Sequence, residues 1–433
     1  MSEPLGVALV GCGTVGGGVA KILIGHADRL TRRAGRPLAL RRVVVRDPHK
    51  PRPDCVPAGI VSTDIAAAIS DPGVHVVVEL IGGTTTAKQV VLDALAAGKH
   101  VVTANKALLA ASGAEVFAAA RKAERAVCFE AAVAGGVPII RALGESLAAN
   151  QVTAIQGILN GTSNFILTAM AERGMTYADA LREAQKRGYA EADPTLDVDG
   201  SDAAHKLAVL AQIAFGVAAL PHEIERKGID TIDAMDIRFA DELGYTIKLL
   251  AEAWTDGPEV ALHVAPVLLR HTDMLAQVRG AHNAIQVTGD IVGETLYQGP
   301  GAGMMPTASS VVADLLDLAV GRAQRTFAAA KLWSTAPRGF TLTPSEKVRS
   351  RFYLRLSVAD QPGVLAEVCR MLAEQGISIA SVIQHEETAT TAHGVPLVIM
   401  THTAETGRFR TAVRHIAGLP SVVEPPVYYS VAG

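Results

Sequence analysis

The chain has 433 residues, enough for about three domains of ordinary size. Hydrophobic residues make up 49% and charged residues 19%, which excludes disorder of the whole chain; aromatics are only 4%, so the cores must be filled by aliphatic side chains and alanine. Lys and Arg number 40 against 43 Asp and Glu, and the resulting net charge of -3 leaves no electrostatic footprint for nucleic acid or an anionic membrane.

Residues 5 to 133 alternate strand and helix. Strands are predicted at 5–10, 40–45, 74–81, 100–103 and 126–129, with helices starting at Gly16 and covering 86–97 and 106–125; Gly98 and Gly113 mark breaks. This βαβ rhythm predicts a parallel sheet covered on both faces, a doubly wound Rossmann-like α/β dinucleotide-binding domain over 1–134. From Gly135 the rhythm changes. Helices are predicted at 138–147, 164–173, 177–186 and 201–215 and strands at 247–254, 260–269 and 284–292, giving an α+β mixed-sheet domain over 135–306. A helix at 307–320 follows a glycine-rich loop and is expected to return, as part of 307–333, to the first domain.

Residues 334–350, rich in Pro, Thr, Ser and charge, read as a linker. Over 351–433 a strand at 352–359 leads into the turn Asp360-Gln-Pro-Gly, a helix at 364–375 ends at Gly376, and strands at 377–384 and 396–403, a helix at 409–416 and a strand at 422–429 complete a ferredoxin-like βαββαβ order.

Mean hydropathy is +0.26, but the longest apolar run, from Leu207 to Leu220, is interrupted by Gln212 and falls short of the ~20 residues that cross a bilayer, so it reads as a buried helix. Glu3 stands where a secretory signal would be basic. Cys12, Cys55, Cys128 and Cys369 are scattered without a C-x-x-C pair, which argues against disulfides or a thiolate metal site and fits a cytoplasmic protein.

Gly11, Gly13 and Gly16, with Thr14 and Val15 between them, form G-x-G-x-x-G between the first strand and its helix. The first glycine permits a sharp turn, the second lets backbone approach a pyrophosphate, the third lets helix and strand pack, and the helix N-terminus faces the anion. At the end of the second strand, Arg46, His49 and Lys50 would neutralise the 2′-phosphate of NADP, whereas Asp47 would accept the ribose hydroxyl of NAD. A solvated basic loop accounts for the same residues on composition alone.

The most informative stretch runs from Glu191 through Asp193, Asp197, Asp199 and Asp202 to Lys206. Asp202 and Lys206 share a helix face, and that helix turns apolar from Leu207, which places a polar patch at the end of a buried helix. An ordinary ion pair is the plain alternative, but so many carboxylates near one lysine suggest recognition of a cationic group. A calcium loop fails because Lys206 would fall on the terminal carboxylate position. Reducing a carbonyl leaves an alkoxide that needs a proton, which a positioned Lys supplies. Tyr-x-x-x-Lys is absent. Lys106, after Thr-Ala-Asn at the carboxyl end of a predicted strand, is a second candidate donor.

Five stretches resemble the homoserine dehydrogenases of the monofunctional type with a C-terminal ACT domain: Thr103-Ala-Asn-Lys, Glu130-Ala-Ala-Val-Ala-Gly-Gly-Val-Pro, Gly157-Ile-Leu-Asn-Gly-Thr-Ser-Asn-Phe-Ile-Leu, the segment from Gly188 to Lys206, and Gly299-Pro-Gly-Ala-Gly-Met-Met-Pro-Thr. The resemblance spans nearly the whole chain. It implies NAD(P)-linked interconversion of L-aspartate 4-semialdehyde and L-homoserine, on the way to threonine, isoleucine and methionine. It implies Lys206 as proton donor, Lys106 near substrate and nicotinamide, and Glu191, Asp197 and Asp202 as carboxylates that bind the substrate or organise the lysine. It implies Gly303 close to the nicotinamide, and a monovalent cation, usually sodium, on the main-chain carbonyls of Glu130, Val133, Gly135 and Val137. It also implies L-threonine as an effector acting through the ACT unit, and a homodimer or homotetramer. Two rivals are a related dehydrogenase of different substrate and a non-catalytic NADPH- or amino-acid-sensing protein. The first would lack the Asn-Gly-Thr-Ser-Asn and Glu-Ala-Asp-Pro stretches, and the second would not need both lysines.

Overall fold

Valine-rich runs pair into a six-stranded, all-parallel sheet in the spatial order Val61–Ser62, Leu38–Val44, Leu5–Val10, Val76–Glu79, His100–Thr103, Val127–Cys128. The structure is a computed structural model and describes residues 3–333, 339–385 and 394–432. Val7, Val76, Val77 and Val78 are fully buried because helices cover both faces. Strand order reverses between Leu5–Val10 and Val76–Glu79, the switch point beside which open α/β sheets bind ligands.

The chain forms two compact units. The first takes residues up to Gly161, Asp202–Ile224 and Ala281–Phe340; the second takes Thr162–Ser201, Glu225–Gly280 and the residues from Thr341 onward. In the first unit, helix Met304–Ala319 returns to the sheet and packs on helix Thr14–Gly25 so closely that a Cβ on Gly18 would lie 2.9 Å from Ala308 Cβ. Helix Lys106–Lys122 kinks at Ser112, and the adjacent Gly113 makes room for the Trp333 indole, which a Cβ there would meet at 2.5 Å.

Three differences from the expected elements in this unit have local causes. The strand expected at 284–292 stops at Gly289, because Asp290 turns back to accept the Gln151 N–H at 2.8 Å and Gly293 takes φ +74°; a second strand, Gly293–Pro300, then runs antiparallel. Its glycines and proline hid it, as Gln156 and Gly157 hid the neighbouring strand Val152–Ile158. The helix expected at 138–147 is α-helical only over Ile139–Arg141 and widens into a π turn over Ala142–Ser146, where Gly144 weakens it.

In the second unit, strands Tyr245–Asp256 and Glu259–Arg270 form a long antiparallel hairpin. The C-terminal ferredoxin-like module orders its strands Val427–Val431, Arg349–Val358, Val395–Thr401, Ile379–Ile383, all antiparallel. Its core centres on Phe352 stacked on Phe409, ring centroids 3.9 Å apart. Pro425 and Pro426 delay the last strand beyond its expected start, since neither can donate to the ladder. Of the expected linker, residues 334–338 lie outside the described residues, while Thr341–Leu342 pairs in parallel with Glu259 and Val260. No single helix among the described residues is long and apolar enough to cross a membrane.

Candidate active site

The glycine loop has the shape its sequence requires. Gly11 takes φ +101°, and a Cβ there would lie 2.7 Å from the Leu80 carbonyl oxygen; a Cβ on Gly16 would lie 2.1 Å from the Gly11 carbonyl. Around Gly13, by contrast, a Cβ would meet nothing within 4 Å, so this backbone stands open to an approaching ligand. Helix Thr14–Gly25 starts there without a side-chain cap, leaving its first N–H groups for an anion. Thr14 is exposed and Val15 half-buried. This cradle of two packed glycines around an open one fits a dinucleotide.

Beyond the second strand Arg46 is exposed. Asp47 accepts the His49 N–H at 2.9 Å, and Arg52 donates to the carbonyls of Asp47, Pro48 and Lys50. Arg52 thus fixes the loop that presents Arg46, a role that sequence spacing did not reveal.

Lys106 is the first residue of its helix, and a buried network sets it there. Glu79 accepts Thr103 Oγ1–H at 2.6 Å and the N–H groups of Ile81 and Gly82; Thr103 Oγ1 accepts the Asn105 N–H. Asn105 caps the helix through Leu108 N–H and donates to the Gly83 carbonyl. A glutamate ending a fully buried valine strand is the signal that could have found this network.

Lys206 is buried, and its Nζ donates at 2.6 Å both to the Leu159 carbonyl and to Asp202 Oδ2. The other oxygen of Asp202 lies 3.1 Å from Lys106 Nζ, and Asn160 Nδ2–H donates to Oδ2 at 3.0 Å. One carboxylate therefore holds two ammonium groups drawn from different parts of the chain. Burial pushes the Asp202 carboxyl up, but Lys206, Lys106 and the hydrogen bonds from Lys206 and Asn160 together hold it well below the usual carboxylate range. Asn283 Nδ2–H donates to the same Leu159 carbonyl at 2.9 Å. Asn160 and Asn283 escaped sequence reasoning as site residues, since Asn160 reaches Asp202, and Asn283 the carbonyl that holds Lys206, from segments distant in sequence.

The loop Val133–Val137 reverses tightly, with Ala134 and Gly135 at φ +52° and +45°. A Cβ on Gly135 would lie 2.4 Å from the Gly301 carbonyl oxygen, so this loop packs against the one leading to Gly303, itself at φ +114°. The Gly135 carbonyl accepts Ser310 Oγ–H and the Val137 carbonyl accepts the Ile139 N–H. Each keeps a second lone pair, so the donor chemistry fits a hard monovalent cation. Glu130 is buried, and its carboxylate accepts the N–H groups of Ile140 and Arg141; burial pushes its carboxyl up to about 7. Among the described residues no group of three or more His, Cys, Asp or Glu side chains could hold a metal.

Glu191 and Asp197 belong to the second unit. There Glu191 is exposed, its carbonyl accepting Gln185 Nε2–H at 3.2 Å, and the Asp197 carbonyl accepts Ser163 Oγ–H at 2.6 Å. The neighbouring carboxylates also hold local turns. Asp193 accepts the Thr195 N–H and hydroxyl, and Asp199 accepts the N–H and hydroxyl of Ser201. Both carboxylates thus brace the turns that lead into the helices after them.

A dinucleotide cradle, lysines at the end of a buried helix and at a strand terminus, and an ACT-like module define an NAD(P)-dependent oxidoreductase. Family models match residues 11–130 as the homoserine dehydrogenase NAD-binding domain, 138–316 as homoserine dehydrogenase and 352–420 as an ACT domain. The chain is 45% identical to homoserine dehydrogenase of Pseudomonas aeruginosa over 432 residues, 98% of each protein. Its structure matches a homoserine dehydrogenase crystal structure from Thiobacillus denitrificans with TM-score 0.91 and 42% identity, covering 99% of this chain and 98% of that one. A hyperthermophilic archaeal homoserine dehydrogenase solved in complex with NADPH matches with TM-score 0.61 and 27% identity over 72% of this chain and 97% of that one. The chain belongs to the homoserine dehydrogenase family.

Proposed function

We propose that this chain interconverts L-aspartate 4-semialdehyde and L-homoserine, with Lys206 as proton donor. Supporting this reading above all is the single carboxylate of Asp202 shared between Lys206 and Lys106. It gathers two proton donors in one place. The reduced nicotinamide, when bound, supplies the hydride to the aldehyde carbon. The helix N-terminus at Thr14 and the open backbone at Gly13 hold the pyrophosphate, and Gly303 lets backbone approach the ring. Lys206 gives its proton to the new alkoxide oxygen, and Lys106 steadies the developing charge. Glu191 and Asp197 bind the substrate ammonium.

Exposed Arg46, presented by a loop in which Asp47 is already engaged, favours NADP over NAD. A sodium ion on the carbonyls of Glu130, Val133, Gly135 and Val137 would brace the loop beside Gly301. We read residues 1–134 with 307–333 as the coenzyme domain, 135–306 as the catalytic domain, 334–350 as linker and 351–433 as the regulatory domain. The regulatory domain would answer to L-threonine in a cytoplasmic homodimer or homotetramer.

The test is L-homoserine oxidation at alkaline pH, followed at the nicotinamide absorbance band, with NADP and NAD in parallel, sodium replaced by a bulky organic cation, and threonine added last. Turnover, faster with NADP, is expected. Folded protein that turns over with neither coenzyme overturns the reading.

A further inference from the structure

Strand Glu259–Arg270 carries an unusual edge. Its Val260, Val264 and Leu268 carbonyls accept from three separate segments, through the N–H groups of Thr343, Lys227 and Ala432. Pro266 has the same parity, so the donor it lacks falls on this edge. The ladder is interrupted there, between the pairing of Val264 with Arg226 and that of Val267 with Ser430. A cavity of about 100 Å³ opens at the break, within the second unit, where the long hairpin meets the C-terminal module.

The lining is cationic and aromatic. Arg226, Lys227 and Arg410 face one lining carboxylate, Glu225, which pairs with Arg410. Lys227 Nζ lies 4.9 and 4.7 Å from the ring centroids of Tyr428 and Tyr429 and spends one hydrogen bond on the Tyr428 carbonyl at 2.9 Å. An ammonium has three donors, and burial pushes this one below its usual pKa against the opposing pull of Asp236 and Asp230, a cost that a bound anion relieves further. Two more buried polar atoms on the lining residues, Arg410 Nε and His263 Nδ1, have no hydrogen-bond partner among the described residues. The His263 ring stands edge-on to Trp254, centroids 5.2 Å apart. None of the lining residues belongs to the turn Asp360-Gln-Pro-Gly.

We propose that this cavity binds a small aliphatic carboxylate, its anionic end on Lys227 and Arg410 and its apolar body against Leu262 and the tyrosine rings. A carboxylate matches the excess positive charge and the unpartnered donor, and the aromatic wall suits an aliphatic tail better than a fully polar anion such as phosphate. The site is independent of the proposed reaction.

Trp254 supplies the readout. In full-length Trp333→Phe protein it is the sole tryptophan. Titration with sodium propionate, against sodium chloride at equal ionic strength, is expected to give a saturable change in its emission at about millimolar ligand. Lys227→Met should weaken binding about tenfold or more, as loss of a charged hydrogen-bond donor does. Arg410→Gln is the second variant, because Lys227→Met also strips the Tyr428 carbonyl of its donor; normal homoserine turnover in either variant reports correct folding. Competition by L-threonine would make amino-acid carboxylates the source, and lack of competition would make simple carboxylates the source, each leaving the site in place. Propionate and chloride titrations that coincide, or folded variants that titrate like the parent, overturn the proposal. The reaction assay is unaffected by that failure.

Discussion

Asp202→Asn is the most informative perturbation of the site. Asp202 is largely buried and carries a 2.6 Å bond from Lys206, a 3.0 Å bond from Asn160 and a 3.1 Å contact with Lys106. Asparagine keeps the shape but removes the charge that holds two cations together, and one of its two acceptor positions becomes a donor facing an ammonium. Breaking a buried pair while leaving its partner charged costs about 3 kcal/mol or more. The variant should lose about that much stability at pH 8 in urea unfolding. The folded carboxyl is held low, so its contribution is present above the ordinary carboxylate pKa and is lost as pH falls below it; wild type and variant should therefore converge in acid. Misplacing the lysines should lower kcat for homoserine oxidation about 100-fold or more, with coenzyme affinity within about twofold. A variant with near-normal kcat and no loss of stability at pH 8 would refute the shared-carboxylate argument.

Three further outcomes follow from single features. Arg46→Ala should raise KM for NADP about tenfold and leave KM for NAD unchanged, as loss of one charged phosphate contact does; equal effects on both would remove Arg46 from coenzyme choice. Lys248 is buried, donates to Asn164 Oδ1 and the Val278 carbonyl, and is pushed by burial down to about 8. The folded pKa lies below the unfolded one, so wild type gains stability as pH rises from about 8 to about 10.4; denaturation of Lys248→Met should lack this gain, worth about 3 kcal/mol. Gly113→Ala should cost about 1–3 kcal/mol by crowding the Trp333 ring, read as a lower urea midpoint with turnover retained below it.

The parts of the fold carried by local periodicity were legible. The parallel sheet, the βαββαβ module and helix Ser201–Ala214 follow from runs of valine and leucine at fixed spacing, and the glycine loop from its position after a strand. Strand Val152–Ile158 was hidden because its place is fixed by pairing with His282–Gly289, far away in sequence, and Gly293–Pro300 because its glycines and proline leave no alternation of its own. The site divides the same way. Lys206 and Asp202 meet through helix spacing, whereas the Leu159 carbonyl, Asn283 and the Glu79–Thr103–Asn105 network arrive from distant segments. The turn bonds of Asp193 and Asp199 were not legible, since a turn-bracing carboxylate and a ligand-binding one look alike in a sequence.

The central claim, that Lys206 is the proton donor, is tested most directly by Lys206→Ala in a single-turnover experiment, with enzyme in excess over NADPH and L-aspartate 4-semialdehyde. The account predicts NADPH affinity within about twofold of wild type and a hydride-transfer rate lower by about 100-fold or more. A variant that binds NADPH poorly yet transfers hydride at the wild-type rate would contradict it.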